Sequence, residues 1–228
     1  MIKGLTSILL PSAFRPRELA RCLAALYAAD YRQPFEVLAT VISDDDQSLD
    51  VLRTYQIAPC FVRSWIDYER GQIWAFNELT RYAFGEYLAV FADDLVPDRN
   101  WHTHALDAAR TLGKPGLIGF NDLHSDGDLY AAHFIAHRQF LIDQCGGRLF
   151  PPQYHAWWCD REISDIAQAA GVHVFAQRSI VEHMHWNWQR AQIDLTYADA
   201  LPWHVTDRDT YQSRKAAGFP KDYEAVIA

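Results

Sequence analysis

No apolar run in the 228 residues approaches the length of a membrane span. The apolar stretch in MIKGLTSILLPSAF is broken by Pro11 and Arg15 and carries no small-residue cleavage site, so it reads as a first strand. No CxxC spacing exists: Cys22, Cys60, Cys145 and Cys159 are scattered, which fits reduced, buried thiols in a cytoplasmic protein better than a disulfide frame. No Lys/Arg run exceeds two residues and the net charge is −8, which argues against a surface that neutralises many phosphates. Internal repeats, low-complexity tracts and linkers are also missing, so one domain is expected over 1–228. What is present is apolar material: 50% of residues are hydrophobic and 22% charged, enough for a sizeable core.

Strand-like and helix-like segments alternate through the first half. LTSILL ends at Pro11, and RPRELARCLAALYAA then spaces Leu19, Cys22, Leu23, Leu26 and Tyr27 as a helix with Pro16 in its first turn. FEVLATVI and the weaker CFVRSW read as strands. GQIWAFNELTRYAFG has helical spacing through Ile73, Phe76, Leu79 and Phe84, EYLAVFA is a fourth strand, and a helix is expected from about Asp98 to Leu112. Continuous apolar strands between helices predict an α/β fold: a mostly parallel, twisted sheet covered on both faces. In such sheets ligands sit at the carboxyl ends of strands, and three polar clusters fall there: PSAFR, SDDDQS and Asp93-Asp94.

Later segments are less regular. GLIGF reads as a strand, YAAHFIAHRQFLIDQCGG as a strand turning into a helix, and DREISDIAQAAG as a helix stopped by Gly171. VHVFA and SIVEHMHW read as two short strands, and a last helix is expected near DRDTYQSRKAAG. A first half (about 1–112), a second half (about 113–185) and a tail packed on the core (186–228) are the expected subdivisions.

Asp93 and Asp94 pose the sharpest question. They follow a fully apolar strand, repel one another, and have no Lys or Arg within four positions. One Asp there could start a turn or cap a helix. Two are better explained by a hard divalent cation, Mg²⁺ or Mn²⁺, shared with a diphosphate. Asp160 precedes a helical pattern and serves either as its N-cap or as a general base. His183 and His185 alternate on one strand face, whereas the His102/His104 pair in WHTH lies in a helical pattern and is expected at the surface. Among the clustered tryptophans, Trp157 and Trp158 suit an acceptor wall, although buried packing is the commoner use of Trp. Arg208 and Arg214 in the tail could reach a diphosphate, but helix i,i+4 ion pairs are the expected use.

The order SILLPSAFRPRELARCLAAL, FEVLATVISDDDQS and GQIWAFNELTRYAFGEYLAVFADDLVPDRNW resembles a family 2 glycosyltransferase of the GT-A fold, over roughly residues 5–185. The resemblance implies a nucleotide-sugar donor, with UDP as the first expectation, and single-displacement transfer with inversion to an acceptor hydroxyl. It also implies nucleotide binding for the first half of the chain (about 1–112) and acceptor binding and catalysis for the second (about 113–185). Pro11, Ser12 and Arg15 match the first nucleotide-contacting stretch, with Phe14 where Asn is usual. Asp45 and Asp46 match the acidic turn that reads the base, and Asp44 leaves the register open. Gly71 and Asn77 match the helix that approaches the diphosphate, with Gln72 replacing a common Lys.

In the same comparison Asp94 would ligate Mn²⁺ or Mg²⁺ and Asp93 would touch the ribose or the metal's water shell. CDREI matches the base motif through Asp160, with Glu162 placed beside Trp157 and Trp158 on the acceptor side. His183 would complete the metal shell, with His185 as the alternative. A carbohydrate or other hydroxyl-bearing acceptor is implied, a nucleic-acid base being left open. A nucleotidyltransferase acting on sugar phosphates, or a non-catalytic nucleotide-sugar-binding domain, are the rival readings; the absence of glycine from PSAFRPRE weighs against the first.

Overall fold

In the computed structural model the described residues are 1–42, 44–55, 60–62 (backbone alone) and 71–227. Residues 63–65 of the predicted third strand lie outside them. Strands β1 (Ile2–Ser12), β2 (Phe35–Val41), β3 (Cys60–Val62) and β4 (Gly85–Val90) alternate with helices α1 (Pro16–Ala28), α2 (Asp46–Thr54) and α3 (Gly71–Tyr82). Then come β5 (Leu95–Pro97), α4 (Trp101–Leu112), β6 (Leu117–Asn121), β7 (Phe134–His137), α5 (Arg138–Gln144), α6 (Cys159–Ala169) and β8 (His173–His183). Helices α7 (Leu195–Ala200) and α8 (Trp203–Ala216) form the tail.

The eight strands order as β3-β2-β1-β4-β7-β6-β8-β5. β1 pairs in parallel with β2 and β4, and β6 with β8, while β7 runs antiparallel to both its neighbours and β5 antiparallel to β8. The apolar runs follow from this. Ile8 and Leu10 pack on one face with Leu19, Leu23 and Trp101, whereas Leu9 packs on the other with Phe76, Leu88 and Phe134. Both faces are covered, so β1 cannot alternate apolar with polar.

Several local expectations change. α4 starts at Trp101 rather than near Asp98, because Asp98 spends its carboxylate on the Asn100 N–H in the turn before the helix. VHVFA and SIVEHMHW are one strand, β8, whose register against β6 shifts after Phe120. Phe84 is exposed beyond the end of α3. His102 is not at the surface: it is fully buried, its Nε2 lies 2.9 Å from Thr6 Oγ1, and burial lowers its pKa to about 4. The three cysteines with described side chains, Cys22, Cys145 and Cys159, are buried free thiols. Among the described residues no helix is long and apolar enough to cross a membrane.

The tail is fastened by a buried ion pair. Arg214 of α8 forks onto Glu162 of α6 (Nε–Oε2 2.9 Å, Nη2–Oε1 3.0 Å), and Tyr154 donates to the same carboxylate at 2.6 Å. Arg214 also reaches Asp222, and Arg208 pairs with its neighbour Asp209, so neither makes the i,i+4 pair expected within the helix. Removing one partner of a buried pair strands the other. Glu162→Ala is therefore expected to cost about 3–5 kcal/mol in urea unfolding, with nucleotide affinity of the folded variant unchanged.

Candidate functional site

The carboxyl ends of β1 and β4 meet beside a cavity of about 630 Å³, within the range of small-molecule sites. Ser12, the last residue of β1, donates to Asp93 Oδ2 at 2.7 Å. Arg15, just before α1, turns back so that its Nη1 lies 2.6 Å from Asp93 Oδ1 and 3.4 Å from Asp94 Oδ2. The missing positive partner of the acidic doublet is thus an arginine 78 positions away from Asp93. The chain itself therefore supplies one positive charge to the doublet, beside which a metal was expected.

The tail completes this arrangement. Asp194 takes the Arg15 Nε at 2.9 Å, Thr196 donates to the Ala13 carbonyl, and the Tyr197 hydroxyl donates to Asp94 Oδ2. The Tyr197 ring lies under the Arg15 guanidinium, 4.5 Å from its centroid, a cation–π contact.

The two carboxylates differ in their charge. Burial pushes Asp93 up to about 7, opposed by Arg15 and reinforced by the charge of Asp94. Burial also works against ionised Asp94, but His183, Arg15 and Tyr197 outweigh it and hold the group well below the usual carboxylate range. Asp94 is therefore the permanent anion of the pair.

A divalent cation suits what Asp94 leaves open. Its Oδ1 is buried and accepts no hydrogen bond, and His183 Nε2 stands 3.4 Å away. A carboxylate oxygen facing an imidazole nitrogen is a donor set for Mn²⁺ and, less well, Mg²⁺. His185 hydrogen-bonds the Asn187 N–H through Nδ1 and is kept neutral, at about 4, by burial.

Asp160 lines the cavity as the second residue of α6, not as its N-cap; Trp158 holds that position in the left-handed region at φ +67°. The Asp160 carboxylate accepts the Arg161 N–H at 2.9 Å, and burial pushes its pKa up to about 6. Trp157 and Trp158 line the same cavity, with Trp157 Nε1 held by the Ala200 carbonyl at 2.8 Å. The loop before them is fixed by Asp207 of α8, fully buried, which accepts the N–H groups of His155, Ala156 and Trp157.

Of the remaining expected residues, Pro11 and Gly71 line the cavity. Gly71 has φ +68°, and a Cβ there would meet the His155 carbonyl at 3.3 Å, so the position requires glycine. Asp45 turns inward: it caps α2 through the Ser48 N–H and accepts the Phe14 N–H at 2.6 Å. That second bond holds Phe14 at φ +55°, a left-handed conformation that Asn tolerates better than Phe. Asp46 opens α2 and is solvent-exposed.

Two expectations fail on geometry. Asn77 is buried away from the cavity and clamps Phe150, its Nδ2 donating to the carbonyl at 2.9 Å and its Oδ1 accepting the N–H at 3.2 Å. Glu162 is spent on Arg214 and Tyr154 and does not face the acceptor side. Conversely, Tyr197, Asp194 and Asp207 were missed, because their partners lie in segments distant in the chain.

Residues 7–164 match the family described as glycosyl transferase family 2. The chain belongs to this family. A glucuronosyltransferase of Methanococcus voltae, named for transfer of a 2,3-diacetamido-2,3-dideoxyglucuronosyl unit to dolichyl N-acetylglucosaminyl phosphate, is 25% identical over 118 residues. That is 50% of this chain and 37% of the relative. Crystalline S. aureus TarS superimposes with a TM-score of 0.64 at 15% identity, covering 78% of this chain and 36% of TarS. Mannosyltransferase PcManGT from Pyrobaculum calidifontis, solved with GDP-Man and Mn²⁺, gives 0.62 at 17% identity over 94% of this chain and 75% of the other. These likenesses establish the GT-A fold for the family 2 chain, which spans well under half the length of TarS and of the Methanococcus voltae relative.

The Arg15 contacts yield a stability test. Arg15→Met leaves two buried carboxylates without their cation and is expected to cost about 3–5 kcal/mol at pH 7.5. The deficit should shrink at pH 5. Asp93, whose folded pKa is raised, is then protonated, and the folded state no longer carries the doublet's repulsion. Urea unfolding of wild type and variant at both pH values measures it.

Proposed function

We propose that this chain moves a glycosyl group from a nucleoside-diphosphate sugar, UDP-linked in the first instance, to an acceptor hydroxyl with inversion at the anomeric carbon. The observation that carries the reading is Asp160: a carboxyl raised to about 6, on the wall of the cavity that also holds Arg15, Asp93 and Asp94. A single displacement needs one base aimed at the acceptor and an anion-tolerant pocket for the leaving group.

Asp160 takes the proton from the acceptor hydroxyl as that oxygen bonds to the anomeric carbon and the bond to the diphosphate breaks. With a pKa near 6 it is ionised at neutral pH yet basic enough to accept a proton. Its Arg161 N–H contact fixes one oxygen and leaves the other for the acceptor. Trp157 and Trp158 offer flat apolar faces to the sugar and exclude water from the reacting centre. Asp93, neutral for part of its population near pH 7, can accept or donate a hydrogen bond to the ribose. Pro11, Ser12 and Gly71 border the nucleotide's part of the cavity. A cation held by Asp94 and His183, Mn²⁺ before Mg²⁺, would stabilise the negative charge of the departing nucleoside diphosphate.

Asp160→Asn is expected to bind UDP with wild-type affinity by calorimetry and to lose turnover on the order of 10²–10⁴-fold. In the wild type, kcat/KM should rise with pH through about 6 and then level, since the base must be deprotonated; the residual rate of the variant should lack that limb. Transfer at the normal rate by the Asn variant would remove Asp160 from the mechanism.

A further inference from the structure

Asp122 and His133 belong to no motif in the chain, yet the fold carries both to His183. β6 ends one residue before Asp122 and antiparallel β7 begins one residue after His133, while β8, parallel to β6, ends at His183. Backbone bonds fasten the three together. Phe120 N–H donates to the His133 carbonyl at 3.0 Å, and His183 N–H to the Asp122 carbonyl at 3.3 Å. The Met184 N–H donates to the Asp94 carbonyl at 3.0 Å, so the same junction also holds the acidic doublet.

The side chains converge as well. One ligand atom from each of Asp122, His133 and His183 lies within 4.8 Å of the other two. The His133 and His183 rings meet edge to face with centroids 4.6 Å apart. Asp122 is held in place by the His124 and Ser125 N–H groups on Oδ1 and by the Ser125 hydroxyl on Oδ2. His133, 9% exposed, has a buried Nδ1 with no hydrogen-bond partner, although it borders the cavity. A buried imidazole nitrogen without a partner has lost its water and gained nothing in return. Aspartate and histidine groups converging beside that unsatisfied nitrogen make up a donor set suited to a metal ion.

We propose that Asp122, His133 and His183 form a transition-metal site at the inner edge of the cavity. It shares His183 with the pair Asp94 and His183 and brings an imidazole and a carboxylate of its own, and it rests on the assignment of His183 above. Two imidazoles change the preference of the site. Carboxylate and water shells suit Mg²⁺ and Ca²⁺, whereas imidazole donors suit Mn²⁺, Co²⁺ and Zn²⁺ increasingly well. This chain should therefore select a first-row transition ion and bind Mg²⁺ poorly.

The test is titration of the metal-free full chain with Co²⁺ and with Mg²⁺, followed by calorimetry and by the visible d–d absorption of Co²⁺, with no sugar transfer involved. The wild type is expected to bind one Co²⁺ at least tenfold more tightly than Mg²⁺. His133→Gln should weaken Co²⁺ at least tenfold, shift its absorption bands and narrow the Co²⁺/Mg²⁺ preference. Asp122→Asn keeps the Oδ1 acceptor for the two N–H groups and so preserves the turn. It should also weaken Co²⁺, and it decides the matter if the His133 variant does not fold. Should His133 merely orient His183, affinity would fall while the Co²⁺ bands stayed in place, and the proposal would be lost. Unchanged affinity and bands in both variants would overturn it too. In either case, loss of Co²⁺ in Asp94→Asn would leave the Asp94–His183 assignment standing. A wild type that binds no Co²⁺ would end both.

Discussion

The contact between Arg15 and the Asp93-Asp94 doublet is the constraint around which the rest of this chain is arranged. Two carboxylates at the rim of a sheet can be buried only when a cation shares the burial with them. Here the cation comes from the turn after β1, reached because β1 and β4 are neighbours in parallel register. The same guanidinium holds Asp194 and rests on Tyr197. One side chain thereby links the first strand, the fourth strand and the tail. Such buried ionic clusters contribute more to fixing which segments meet than to net stability.

The sheet order explains why the chemistry gathers at one place. β1 and β4 end on one side of the cavity with Ser12 and the doublet, and β8 ends with His183 near Asp94. β7 reverses direction, so its beginning, not its end, reaches that edge. This is how His133 arrives there without lying at a strand terminus of the usual sense. α6 brings Asp160, in its first turn, to the wall of the same cavity.

How much could be read from the residues depended on whether a role was local. Asp93, Asp94, Asp160 and Gly71 announce themselves by their place after a strand or before a helix, and the structure puts all four on the cavity. The two-sided core was equally legible, because LTSILL and EYLAVFA have no polar alternation. Asn77 and Glu162 also sat at plausible places, but residue type does not reveal which partner a side chain will take. Asn77 found the Phe150 main chain 73 positions on, and Glu162 found Arg214 52 positions on. Tyr197 and Asp207 lay in a tail without motifs, so only tertiary packing identifies them. His102 misled in the opposite sense, since helical spacing cannot say which face turns toward Thr6.

Asp207 has a bearing on how this enzyme fold could diversify. Its carboxylate grips three consecutive amides and, of their side chains, meets the His155 imidazole at 3.2 Å, so its hold on residues 156 and 157 does not depend on what those two residues are. The side of the cavity lined by residues 156 and 157 can then be repainted by substitution alone, its curvature staying put. Under the function proposed above, selectivity among acceptors is free to drift here while the machinery beneath it keeps its shape.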